Sequence, residues 1–138
     1  MLAVRRISQA VTGILLTGLA SAVHTMPLQG SEWQPLQIHD ESVPADSGIF
    51  IRFHSKQRLV GHSGCNRLFA EYEASDGHIF VGPVAATRMA CEDAVMTREA
   101  ALASALEKAR TYHRDGAKLV VFDGAGQPVL ELRQSDWD

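Results

Sequence analysis

Arg67-Leu68-Phe69-Ala70-Glu71-Tyr72-Glu73-Ala74-Ser75-Asp76-Gly77-His78-Ile79-Phe80-Val81 reads as one antiparallel hairpin. Leu68, Ala70 and Tyr72 alternate against Arg67, Phe69, Glu71 and Glu73, the period of two that a half-buried strand requires. Asp76-Gly77 supplies the turn, because a tight type I′ turn needs positive φ and glycine adopts it without steric cost. Gly82-Pro83 ends the return strand.

The same pattern extends to both sides. Ile49-Phe50-Ile51-Arg52-Phe53-His54 is a strand with Ile49, Ile51 and Phe53 on one side. Lys56-Gln57 makes a polar turn, and residues 58–62 resume extended structure. Further upstream, Trp33, Leu36 and Ile38 suggest a first strand, which Pro35 pushes toward a sheet edge by removing a ladder donor. Residues 40–48 read as a loop, and 23–31, without periodicity, as a flexible arm. Downstream lies one helix, with Asp93 expected at its N-cap and Val95, Leu102, Leu106 and Ala109 on its apolar face. Arg114-Asp115-Gly116 is expected to end it. A final hairpin, 118–122 with 129–132, closes around Asp123-Gly124-Ala125-Gly126. Strands, one helix and strands again define an α+β fold: an antiparallel β-sheet with one main α-helix packed on it.

The N-terminus points to export. Arg5 and Arg6 precede an uncharged apolar run over residues 10–20, and Ala20-Ser21-Ala22 offers the small residues that a signal peptidase needs. Residues 1–22 are therefore expected to be a signal peptide cut after Ala22, with an uncleaved N-terminal anchor as the alternative. The apolar run is short for a bilayer span, which takes about 20 residues. Cys65 and Cys91 are the only cysteines and neither is near the cut, which disfavours a lipoprotein. Removing 22 of the 138 residues leaves 116, one ordinary domain. It carries 11 basic and 16 acidic side chains, a net charge of −5. No basic stripe survives, which argues against nucleic acid and anionic membranes as partners. In an oxidising compartment two cysteines read most simply as one disulfide, with free thiols or a metal-ligand pair as the alternatives.

Two segments carry a family resemblance. Gly61-His62-Ser63-Gly64-Cys65-Asn66-Arg67 and Gly82-Pro83-Val84-Ala85-Ala86-Thr87-Arg88-Met89-Ala90-Cys91 together resemble the META domain, the family of HslJ-like heat-shock proteins of the bacterial envelope. The resemblance spans residues 33–132, within a META-like domain placed at 32–134. It implies a small exported α/β domain linked to heat or envelope stress, and no established catalytic activity. Gly64, Asn66, Thr87 and Arg88 are its motif residues. Physically, Gly61 and Gly64 bracket a bend, and Asn66 suits a left-handed turn bonded to its own backbone. Arg88 is expected as a buried hydrogen-bond fork, and Cys65 is expected to meet Cys91 just before the helix.

Sharper chemistry has little to stand on. A Cys65 nucleophile with His62 or His54 as base needs a free thiolate, and no cysteine-hydrolase signature surrounds either cysteine. No Gly-x-Ser-x-Gly elbow occurs. Glu71 and Glu73 share one strand face, which usually means a solvated face. His62, Cys65 and Cys91 form the alternative, a mixed N/S metal site. Phe50, Phe69 and Phe80 are expected in the core, and Trp137 exposed. The expected protein is thus a non-enzymatic, periplasmic or secreted structural or binding module without a cofactor. It is expected as a monomer that takes a protein or small ligand and has no membrane span after cleavage. A periplasmic His/Cys metal binder is the alternative.

Overall fold

The computed structural model of the chain describes residues 10, 12–15, 17, 18 and 26–137. Most of the expected signal peptide, the cut after Ala22 and residues 23–25 of the expected arm lie outside these. No helix of the described residues is long and apolar enough to cross a membrane.

In chain order the described residues form β1 (Glu32–Ile38), β2 (Glu41–Ser42), β3 (Phe50–Phe53), β4 (Arg58–His62), β5 (Arg67–Ser75), β6 (His78–Val81) and β7 (Ala85–Ala86). The helix α1 (Asp93–Lys108) follows, then β8 (Thr111–Asp115), β9 (Lys118–Phe122) and β10 (Pro128–Gln134). All pairings are antiparallel. The strand path runs β10-β9-β8-β6-β5-β4-β3-β1, and β1 also pairs with β10, so the sheet closes on itself as a barrel. The antiparallel sheet with one packed helix expected from sequence is present, and its closure into a barrel is the more specific feature. Closure leaves only the short β2 and β7 as add-ons to the ring.

Alternation drives the interior. Ile51 and Phe53 of β3, Leu59 of β4, Leu68 and Tyr72 of β5, Ile79 and Val81 of β6, Leu119 and Val121 of β9 and Leu132 of β10 all point inward and are buried. Trp33 is fully buried and its indole N–H donates to Ser31 Oγ at 2.7 Å. The Asp76-Gly77 turn forms as expected, with φ of 51° and 80°.

Several expectations are corrected. β1 is not an edge strand. Pro35 sits where β1 changes partner, since Trp33 pairs with Ile51 of β3 and Gln37 with Ser42 of β2, so no ladder donor is missed there. Opposite β10 the register slips between Pro35 and Gln37, and this bulge turns Leu36 outward. Asp93 is the first helical residue rather than the cap. The N-cap is Glu92, without a side-chain cap bond. α1 ends at Lys108, and Arg114-Asp115 belongs to β8, a strand whose residues carry no clear alternation. The expected loose arm is docked over residues 26–31: Leu28 joins the core, and Gly30 N–H donates to Phe53 O at 2.6 Å. Phe69 and Phe80 are exposed on the outer wall, Phe50 half-buried. They alternate with inward neighbours, and in a closed barrel the second face of every strand is the outside.

The barrel ends differ. Around the β4–β5 turn α1 covers one end with Leu102, Ala105 and Leu106, packing against β1, β6 and β10. At the other end the β3–β4, β5–β6 and β8–β9 turns gather, covered by residues 26–31.

Gly61 shows how tightly β3 and β4 approach, since a Cβ there would meet Phe50 O at 2.7 Å. Gly61→Ala is expected to lower unfolding free energy by about 1–3 kcal/mol, the usual cost of overpacking. Urea titration should show a lower midpoint at an unchanged slope.

Candidate functional site

The family-like motifs meet at the helix-covered end. Cys65 and Cys91 form a disulfide with Cα atoms 6.2 Å apart, inside the range such bridges require. It ties the β4–β5 turn to the segment that leads into α1. At Gly64, φ is +90° and a Cβ would come within 3.0 Å of Ser47 O, so only glycine fits without strain.

Asn66 is the centre of the arrangement. It is 1% exposed, and its Oδ1 accepts from Met89 N–H at 2.7 Å and from Thr87 Oγ1 at 3.0 Å. Its Nδ2 donates to Met89 O at 3.1 Å. Thr87 Oγ1 in turn accepts from Arg67 N–H at 3.1 Å, and Thr87 N–H donates to Arg67 O at 3.1 Å. Asn66 therefore does not occupy a left-handed turn bonded to its own backbone. Its amide reaches across and holds residues 87–89 as a backbone strand would.

Ser63 completes the hub and was not singled out by sequence reasoning. Fully buried, it accepts at Oγ from Asn66 N–H at 2.9 Å and from Cys65 N–H at 3.3 Å. It donates to Glu99 Oε1 of α1 at 2.6 Å. The available signal was a serine between a histidine and a glycine inside the motif. Glu99 carried none, because its partner lies 36 positions away.

Arg88 is corrected: it is exposed and makes no hydrogen bond or ion pair among the described residues. Thr87 Oγ1 and the two Met89 backbone groups do the joining that Arg88 was expected to do. His62 accepts at Nδ1 from Gly64 N–H at 3.0 Å. Of the alternative metal set His62, Cys65 and Cys91, both sulfurs are joined to each other and hold no thiolate for a cation. Among the described residues no three His, Cys, Asp or Glu side chains converge. The same bridge removes the nucleophile from the Cys65–His62 reading. What this arrangement does chemically is fasten two chain segments and a helix with fully spent polar groups.

A closed antiparallel barrel with one capping helix and a disulfide-anchored asparagine hub defines a small, self-contained mixed domain. The chain belongs to the META domain family, whose match covers residues 26–136. No curated protein matches it. A protein from Burkholderia xenovorans solved by NMR is similar at 25% identity and TM-score 0.64, over 79% of this chain and 84% of that one. A second NMR structure is similar at 22% identity and TM-score 0.63, over 79% and 92%. A crystal structure of a DUF4847 family protein from Bacteroides vulgatus shares the fold at 15% identity and TM-score 0.51, over 67% and 62%.

Two stability outcomes follow from the hub. Replacing Cys65 and Cys91 together by alanine is expected to cost up to about 3.5 kcal/mol, the chain-entropy value for closing a loop of this length. Asn66→Ala, with the bridge intact, should cost about 1–3 kcal/mol through the groups it strands. Chemical denaturation of both variants beside the parent checks each, and an unchanged Asn66→Ala midpoint would show that the hub carries no stability.

Proposed function

We propose that this META domain protein is an exported, non-enzymatic binding module that serves the cell envelope under heat or related stress. The observation that carries the reading is the Cys65–Cys91 disulfide set inside a buried hydrogen-bond hub. Such a staple forms and persists in oxidising compartments. It also uses up the only two cysteine thiols of the sequence, from which a nucleophile or a thiolate metal site would be built.

The N-terminal pattern supports export. Arg5 and Arg6, the apolar run and Ala20-Ser21-Ala22 are the parts a secretory signal needs. The stress role follows from the family resemblance. Binding, rather than catalysis, is supported by the way the hub spends its polar groups on the fold while Phe69 and Phe80 stand out on the outer wall.

Intact mass of the protein recovered from the periplasm or medium, without reductant, tests the proposal. The expected species begins at Val23, lies two hydrogens below the reduced mass and resists alkylation. Recovery only with the cytoplasmic fraction overturns the export reading, retention of residues 1–22 overturns the cut after Ala22, and alkylation at both cysteines overturns the bridge.

A further inference from the structure

The end of the barrel away from α1 is not filled. Between residues 26–29 and the barrel wall lies a cleft of about 310 Å³, lined among others by Tyr72, Ala74, Asp76, Tyr112 and Gln57. Ligand sites start at about 300 Å³ and favour the mouths of β-barrels. The space arises from one small residue. Leu68 and Tyr72 fill the barrel from the inward face of β5, and the next inward position is Ala74.

The lining has a definite chemistry. Tyr72 donates its hydroxyl to His54 O at 3.1 Å, and burial first, with Tyr112 second, holds that phenol above its ordinary range. The Tyr112 hydroxyl has no hydrogen-bond partner among the described residues. Among the described residues Asp76 is the one charged side chain of the lining. Behind Tyr112, each guanidinium nitrogen of Arg114 is committed as a donor. Arg114 donates to Gly116 O, Pro27 O and Gln134 Oε1 and lies 4.9 Å from the Trp33 ring centroid.

The turn beside the cleft is strained. Lys56 and Gln57 hold φ of 59° and 58°, a conformation that costs non-glycine residues roughly 1–2 kcal/mol each. Tyr72 N–H donates to Gln57 O at 2.9 Å, so the strained turn is pinned to a cleft tyrosine. Strain of this kind gathers at ligand clamps.

We propose that this mouth is the binding site for a small organic cation, an amine with a ring-sized apolar body. Tyr72 and Tyr112 supply the aromatic surface that attracts an ammonium group. The Asp76 carboxylate supplies its counter-charge, and Ala74 the room for the apolar body. This names the occupant of the binding module argued above and rests on that reading.

The test is a titration of the oxidised protein followed by amide nitrogen–proton correlation spectra. Benzylammonium chloride is the probe, and sodium phenylacetate the control of like shape and opposite charge. Benzylammonium is expected to shift the amides of Tyr72, Ala74, Asp76 and Tyr112 saturably, while phenylacetate leaves them in place. Asp76→Asn should weaken the probe by up to about fivefold, the span of an exposed ion pair, and asparagine keeps the turn because it tolerates positive φ. Ala74→Leu should abolish binding by filling the cleft. Equal binding of phenylacetate, an unchanged affinity in Asp76→Asn, or no saturable shift at the mouth each overturns the proposal. The mass of the exported, bridged chain is independent of all three, so an empty mouth would leave the export and disulfide reading standing.

Discussion

Trp33 of β1 lies opposite Gln134 of β10, and this pairing between the first and last long strands joins the sheet to itself. Once β1 and β10 are paired, every long strand has a neighbour on both sides, and the hydrophobic alternation of each acquires a common inside. Trp33 and Leu132, far apart in the chain, become members of one core. The same closure explains why Phe69 and Phe80 are outside. Only one face of each strand can point inward, and Leu68, Ile79 and Val81 already occupy it.

A closed wall leaves two ends to be covered, and the chain covers them by different means. α1 is long, rich in alanine and leucine, and lies flat enough to exclude water from one end. The other end receives only the docked segment around Leu28, which reaches the core but does not fill the mouth. The wall itself is thinnest between β6 and β8, where His78 and Thr111 are the only paired residues. Backbone bonds from Ile79 to Arg110 and from Tyr112 to Gly77 flank that pair.

The family motifs belong to the covered end, and their chemistry is that of a fastener. Gly64 lets the chain turn, Ser63 meets the amides that the turn leaves free, Asn66 holds residues 87–89, and the disulfide makes the junction covalent. A buried asparagine costs desolvation unless its amide is paired, and here both ends of the amide are. The mouth, by contrast, carries none of the motif residues.

Much of this was legible in the residues themselves. Alternation in 49–54 and 67–73, the Asp76-Gly77 turn, the spacing of Leu102 and Leu106 and the terminal hairpin are local signals, and local geometry obeys them. Membership of the META family was likewise written in two short motifs. β8 was hidden because its five residues carry no clear alternation, and the mouth cleft because it depends on the absence of bulk at Ala74. Closure, the Ser63–Glu99 bond and the true reach of Asn66 were decided only in three dimensions. Periodicity states which face of a strand is apolar, but it says nothing of which distant strand will lie beside it. That choice is made by the packing of the whole core.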